Sequence, residues 1–402
     1  MDILVLGGSF GGMTAAYELR RQLQPGDARI VVIAKDPRFT FIPSLPWVAM
    51  GWRKMDAISF ELDRPLARKE IEFVAATVEK IDPDRRTVSA GGHEYGYDRL
   101  VIATGHRSAN EAVPGLGPFD GPGHSLMSPP EAEEARTALE GLLADRGPVV
   151  IGCAPGASCI GPAYEFAFEL DHLLRRRRLR HEVPIVFVTP EPQLGHFGIA
   201  GVGKARQFLE GAFEERDIRY LTSAAVSKIT DSSVELGDGQ SFESRYSMII
   251  PPLAGVRAVA DTPGLSNPKG FVPVDDHYRH GQFPEVYAAG VAVAMAPVED
   301  TPVPVNFPKT GHMTEQMATI AAHNLVADVR GTEPSSHPLG TECILDMGDR
   351  GVHIKVDPVR PPRNEIPTVT DGRRWLWAKR AFERFYLARA KRGRTGTRGW
   401  GW

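Results

Sequence analysis

Ile3-Leu4-Val5-Leu6-Gly7-Gly8-Ser9-Phe10-Gly11-Gly12-Met13-Thr14-Ala15-Ala16-Tyr17-Glu18-Leu19 reads as a buried strand, a glycine turn and the opening of a helix. That order is what a dinucleotide requires, because the glycines let the backbone approach a pyrophosphate at the positive end of the helix. A glycine-rich turn alone is weak evidence, but Ile30-Val31-Val32-Ile33 follows as a second strand at the spacing of a βαβ unit. Gly7, Gly8, Ser9, Gly11 and Gly12 are therefore the candidate pyrophosphate contacts, with Ser9 standing where the middle glycine is usual. The second strand ends in Ala34-Lys35-Asp36, which makes Asp36 the candidate ribose ligand.

A second strand–turn–helix pattern runs through Gly147-Pro148-Val149-Val150-Ile151-Gly152-Cys153-Ala154-Pro155-Gly156-Ala157-Ser158-Cys159-Ile160-Gly161-Pro162. Its glycine spacing is wrong for a nicotinamide dinucleotide, and Pro155 removes a backbone donor that a pyrophosphate would use. Cys159 stands near the helix start, where the partial positive charge is expected to lower its pKa and favour thiolate. Both features point to an electron donor other than nicotinamide.

Composition sets the outer limits. A chain of 402 residues with net charge −3 suits two or three domains and argues against a general nucleic-acid binder. Three cysteines, Cys153, Cys159 and Cys343, are too few and too scattered for a disulfide scaffold or a zinc site. The longest apolar run, 286–296, is interrupted by Gly290 and too short to span a bilayer. Met1-Asp2 leads directly into the first strand, so no secretory signal is expected.

Two further blocks complete a flavoprotein pattern. Tyr97-Asp98-Arg99-Leu100-Val101-Ile102-Ala103-Thr104-Gly105 is similar to the place where flavin disulfide reductases leave the FAD domain, and Val286-Tyr287-Ala288-Ala289-Gly290 to the strand that brings the chain back. Val291 replaces the usual aspartate there, so its ribitol hydrogen bond is lost or replaced. With Gly156-Ala157-Ser158-Cys159-Ile160-Gly161-Pro162-Ala163-Tyr164-Glu165-Phe166-Ala167-Phe168, nearly the whole chain resembles the sulfide:quinone oxidoreductases, relatives of flavocytochrome c sulfide dehydrogenase and type II NADH dehydrogenases. Segments 39–47, 191–196, 301–304, 308–311 and 343–349 carry the same likeness.

The resemblance implies FAD, held by the first glycine turn with Pro43, Ser44, Ala103, Thr104, Gly105, Gly290, Lys309, Thr310 and Gly311. It implies a redox pair, Cys159 and Cys343, in which Cys343 lies nearest the flavin and Cys159 carries the growing sulfur chain. A third cysteine common in near relatives is replaced by Met127; Cys153 either substitutes for it or is a packed residue. Lys309 is placed beside the flavin edge. Glu165 is a candidate proton acceptor, with a pKa raised by burial, or else a structural hydrogen-bonding group. His196 is a candidate proton relay or an inert loop residue.

The stretch from Asp371 to Trp402 holds ten Lys or Arg against two acids in a chain that is negative overall. On a helix, Trp375, Ala378, Phe382, Phe385 and Tyr386 share one face, with Lys and Arg mostly on the other. This suggests a basic amphipathic foot: burying an aromatic ring contributes roughly 1.5–3 kcal/mol, and each basic residue about 1 kcal/mol near anionic lipid. Phe41, Phe382 and Phe385 are the candidate rings around a ubiquinone or menaquinone head group.

The expected architecture is α/β, with two Rossmann-like domains: residues 1–106 and 241–326 form the FAD domain, 107–240 the second domain, and 327–402 the redox-cysteine and membrane-binding region. The expected activity passes electrons from sulfide through FAD to quinone and releases zero-valent sulfur or polysulfide. The setting is peripheral attachment to a prokaryotic inner membrane, in a homo-oligomer. Alternatives are a flavocytochrome c-type sulfide dehydrogenase with a haem partner, or a non-catalytic persulfide carrier or sensor.

Overall fold

The computed structural model describes residues 1–119, 121–363 and 368–395. The strand Asp2–Leu6 is the middle of a five-stranded parallel sheet, with Arg29–Ala34 and Glu72–Ala75 on one side and Arg99–Ile102 and Val286–Ala288 on the other. Chain order reverses between Asp2–Leu6 and Arg99–Ile102, which opens a crevice at their carboxyl ends. The central strands are apolar and buried almost throughout, the pattern of a parallel sheet covered on both faces. Phe10–Gln22 and Gly311–Arg330 lie side by side on one of them.

The chain leaves this sheet after Ile102 and returns at Val286. Between them Val149–Cys153, Ile185–Val188, Ile218–Leu221 and Tyr246–Ile250 form a second, four-stranded parallel sheet. Tyr246–Ile250 pairs with Val149–Cys153, so the expected domain boundary at 240 falls too early. A short antiparallel pair, Arg107–Ser108 with Leu253–Ala254, closes the neck where the two crossings meet.

Beyond the helix Gly311–Arg330, the strands Thr341–Asp346, Gly351–Val356 and Thr368–Gly372 form an antiparallel sheet, followed by the helix Arg373–Ala390. That helix does not present the face read from the sequence. Its buried row is Leu376, Lys379, Glu383, Tyr386, Leu387 and Ala390, while Trp375, Phe382 and Phe385 flank the contact half-buried and Trp377 is 69% exposed. The rotation has a physical cause: the surface beneath offers Glu165 to Lys379, and Ser44 and Arg53 to Glu383, so two charged residues can be buried with partners. Trp400 and Trp402 lie outside the described residues. No helix among the described residues is long and apolar enough to cross a membrane.

The first turn is the tightest point of the fold. Gly7 has φ +116°, and a Cβ on Gly12 would collide with the Gly7 carbonyl. Gly12→Ala is therefore expected to cost about 1–3 kcal/mol, seen as a lower melting temperature together with weakened flavin retention; wild-type values for both would contradict the close approach.

Candidate active site

The crevice at the first turn fits the FAD that the sequence pattern calls for. Added Cβ atoms would press Gly8 into Leu62 and Ala34, and Gly11 against Ala103 and Thr314, so the backbone forms a shallow cradle only glycines can make. The helix Phe10–Gln22 has no acidic residue in its first turn and no side-chain cap from Ser9, which leaves its first amides available to a phosphate. Buried beside them, Thr14 Oγ1 and Thr104 Oγ1 have no hydrogen-bond partner. Gly105 (φ +74°) and Gly290 (φ +70°) shape the opposite wall.

Among the expected cofactor contacts, Asp36 and Ser44 have hydrogen bonds within the protein. Asp36 is exposed, and its carboxylate accepts the Arg38 amide at 2.9 Å, stabilising the turn after its strand. The Ser44 hydroxyl donates to Glu383 Oε2 at 2.5 Å, so it helps dock the C-terminal helix, while Pro43 is exposed. Lys309 points into the crevice region: its ammonium donates to the Val291 and Val293 carbonyls at 3.0 and 2.5 Å and lies 4.0 Å over the Phe271 ring. Thus the turn that lost its aspartate at Val291 is tied down by a lysine. Burial pulls the Lys309 ammonium to about 7. Thr310 caps the helix Gly311–Arg330, its hydroxyl accepting the Met313 amide at 3.3 Å.

Cys159 and Cys343 are free, and both keep some accessible surface although protein surrounds them, as expected of side chains lining an internal cleft. Cys343 sits on the strand Thr341–Asp346, whose alternation puts Leu345 on the same face. A Cβ on Gly161 would meet Leu345 at 3.5 Å, so that face abuts the start of the Cys159 helix, Gly161–Arg177. The expected lowering of the Cys159 pKa does not occur. Burial raises it to about 11, outweighing the helix end, and burial followed by the nearby Cys159 and Glu342 raises Cys343 to about 12. Cys153 is fully buried at the end of its strand, inside the apolar core, and burial pushes its thiol well up.

The Cys159 turn is clamped from outside. The Gly156 amide, which would face a pyrophosphate in a dinucleotide site, donates to Pro304 O at 2.6 Å. Asn306 Nδ2 donates to Gly156 O at 2.6 Å, and its amide to Ala157 O at 3.0 Å. Segment 304–306 thus occupies the polar groups of the second turn. His196 lies behind this clamp, 3% exposed; its Nε2 donates to Glu299 Oε1 at 2.8 Å, and its Nδ1 accepts the Gly198 amide at 3.2 Å. The first of these bonds joins loop 189–204 to loop 294–308.

Glu165 is buried. It is paired with Lys379 of the C-terminal helix, and burial pulls that ammonium to about 7, with Glu383 opposing. Lys379 and Arg53 lie on the Trp47 ring at 5.0 and 4.6 Å, and Trp47 Nε1 donates to Asp346 Oδ2 at 2.8 Å. Beside this cluster Phe41 meets Phe382 edge-on at 6.0 Å and Tyr386 at 5.3 Å, and the Tyr386 hydroxyl donates to Glu315 at 2.6 Å. Phe385 lies a turn beyond Phe382, with the Arg389 guanidinium 5.1 Å over its ring. Lys379, Trp47, Asn306 and Asp346 were not legible as site residues. Only the i,i+4 pairing of Lys379 with Glu383 hinted at order on that helix, and it reads equally well as a solvated face.

Comparison with known proteins agrees with this geometry. The pyridine nucleotide-disulphide oxidoreductase family matches residues 1–320. The sulfide-quinone reductase of Aquifex aeolicus is 38% identical over 400 residues, covering 97% of this chain and 91% of that one. The chain belongs to the sulfide:quinone oxidoreductase family. The crystal structure of the Aquifex aeolicus sulfide:quinone oxidoreductase superposes with a TM-score of 0.94 at 36% identity, over 99% of this chain and 93% of that one. The mitochondrial sulfide:quinone oxidoreductase of Mus musculus is 24% identical over 309 residues, 72% of this chain and 65% of the mouse protein.

The raised thiols make a kinetic prediction. In the reduced protein, alkylation of Cys159 by iodoacetamide should climb by about tenfold per pH unit from pH 7 to pH 9, because the thiolate is the reactive species. A plateau below pH 8 would show that the helix end, not burial, controls this thiol.

Proposed function

We propose that this chain oxidises sulfide at the Cys159–Cys343 pair and delivers the electrons to a membrane quinone through FAD. The observation that carries the reading is the convergence of two cysteines from separate elements beside the flavin crevice, behind a turn whose dinucleotide contacts are already taken by segment 304–306. A disulfide of the pair is the electrophile. Hydrosulfide attacks one sulfur, the S–S bond breaks, one cysteine becomes a persulfide and the other leaves as a thiolate. The sulfur chain is assigned to Cys159 and the departing thiolate to Cys343 on the family resemblance, since burial raises Cys343 at least as far as Cys159 and does not itself favour it as the leaving group. FAD in the glycine cradle is the two-electron carrier between sulfur and quinone. Lys309 supplies a buried cation at the cradle wall, favouring negative charge there.

Phe41, Phe382 and Phe385 form the quinone slot, with Lys379 one turn from Phe382 as the cation beside it. His196 orients loop 189–204 and serves as a proton relay through Glu299. Attachment to the lipid surface uses the outward side of the C-terminal helix, where Trp377 and the arginines 373, 374 and 384 are exposed. The setting is the prokaryotic inner membrane, with the chain in a homo-oligomer. A persulfide carrier would share the cysteines but would not turn over quinone.

Anaerobic sulfide should bleach the oxidised flavin and decylubiquinone should restore it, whereas NADH should do neither at a comparable rate; rapid reduction by NADH would sink the assignment. Cys343→Ser should abolish bleaching and Cys159→Ser should nearly do so. Cys153→Ser should be mild, and a loss equal to that of Cys159→Ser would overturn its reading as a packed residue. Trp377→Ser should weaken binding to anionic liposomes about tenfold, the equivalent of one buried ring, with a normal melting temperature. Unchanged sedimentation would move the lipid contact elsewhere.

A further inference from the structure

The helix that follows Cys159 carries Glu165, Glu169 and His172 at i, i+4 and i+7, one above the other on a single face, with about 5–6 Å between successive Cβ atoms. Glu165 is paired with Lys379. Glu169 is 0% exposed, and neither carboxyl oxygen has a hydrogen-bond partner. An ionised carboxylate without donors in such a place would cost several kcal/mol, so Glu169 carries a proton. Its titratable neighbour is Asp346, also 0% exposed, whose oxygens accept Trp47 Nε1 at 2.8 Å and the Gly348 amide at 2.6 Å. The Trp47 indole lies close to Glu169 but spends its N–H on Asp346. Burial and the Asp346 charge both push Glu169 well above the usual carboxylate range.

His172 ends this row at the surface. It is half-buried, packs edge-on against Trp52 at 6.2 Å, and backs onto Gly348, two residues from Asp346. Asp349, Asp171, Arg176 and Arg216 surround it with charge of both signs. At the inner end, Lys379 faces Glu165, Glu383 and the Trp47 ring, one helical turn before Phe382. Titratable groups thus line one face of the helix from the surface at His172 to the Glu165–Lys379 pair near Phe382.

The reaction needs such a route. Hydrosulfide loses two electrons and one proton to become zero-valent sulfur, and quinone gains two electrons and two protons, so HS⁻ + Q + H⁺ gives S⁰ + QH₂. One proton per turnover comes from solvent. We propose that Glu169 is the proton-holding station of an inlet that enters at His172, passes the Asp346–Trp47 contact, and reaches the Glu165–Lys379 pair beside Phe382. This rests on quinone being reduced at that slot.

The test uses the full-length, flavin-loaded protein. In the infrared spectrum at neutral pH, wild type should show the C=O stretch of a protonated carboxyl that Glu169→Gln lacks; an unchanged spectrum would mean Glu169 is ionised and would end the proposal. After anaerobic reduction by sulfide, reoxidation by decylubiquinone should slow about tenfold or more in Glu169→Gln. A wild-type rate overturns the inlet, whereas failure of the wild-type protein itself to reduce quinone overturns the quinone reading instead. Should Glu169→Gln not fold, His172→Ala decides: its reoxidation should be slow and recover on adding imidazole, and a normal rate, or slowness that imidazole leaves untouched, contradicts an entry at His172.

Discussion

Cys159 and Cys343 belong to elements far apart in the chain, and they share a cleft only because the strand Thr341–Asp346 packs on the helix Gly161–Arg177. The contact is sealed by buried polar groups as well as apolar ones: Lys379 with Glu165, Glu383 with Arg53 and Ser44, and Asp346 with Trp47. Buried pairs of this kind add little net stability, but breaking one leaves an unpaired charge inside, so they penalise any alternative docking of the C-terminal segment. Registry of the two thiols follows from that penalty, and the contact of Phe41 with Phe382 follows from the same docked helix.

The same contact explains the chemistry of the cleft. A dry environment raises both thiols, which disfavours a standing thiolate. The second Rossmann-like sheet retains the strand–turn–helix shape that elsewhere receives nicotinamide. Here its turn is held by Pro304 and Asn306, so the same strand–turn–helix presents a cysteine instead of a phosphate cradle.

Local patterns were the legible part. Apolar runs flanked by glycine turns identify both parallel sheets, because a strand covered on both faces cannot hide its composition. The two cysteines and the flavin cradle were likewise marked by motifs contiguous in sequence. What escaped was set by tertiary surroundings. The direction of the Cys159 shift depends on desolvation competing with a helix end. The inward face of the C-terminal helix depends on which partners wait beneath it, and the same holds for the strand Tyr246–Ile250, whose neighbour in space is Val149–Cys153. The bonds of Asp36 to the Arg38 amide and of Ser44 to Glu383 depend on the same surroundings.

The central claim is that sulfur is captured and extended between Cys159 and Cys343. It is tested most directly by treating the oxidised protein anaerobically with sulfide, quenching with an alkylating reagent and mapping added sulfur by peptide mass spectrometry. The account predicts sulfur atoms on the Cys159 peptide, alone or bridged to the Cys343 peptide, and none on the Cys153 peptide. Sulfur accumulating on Cys153, or bleaching of the flavin with no sulfur on Cys159 at any stage, would contradict it.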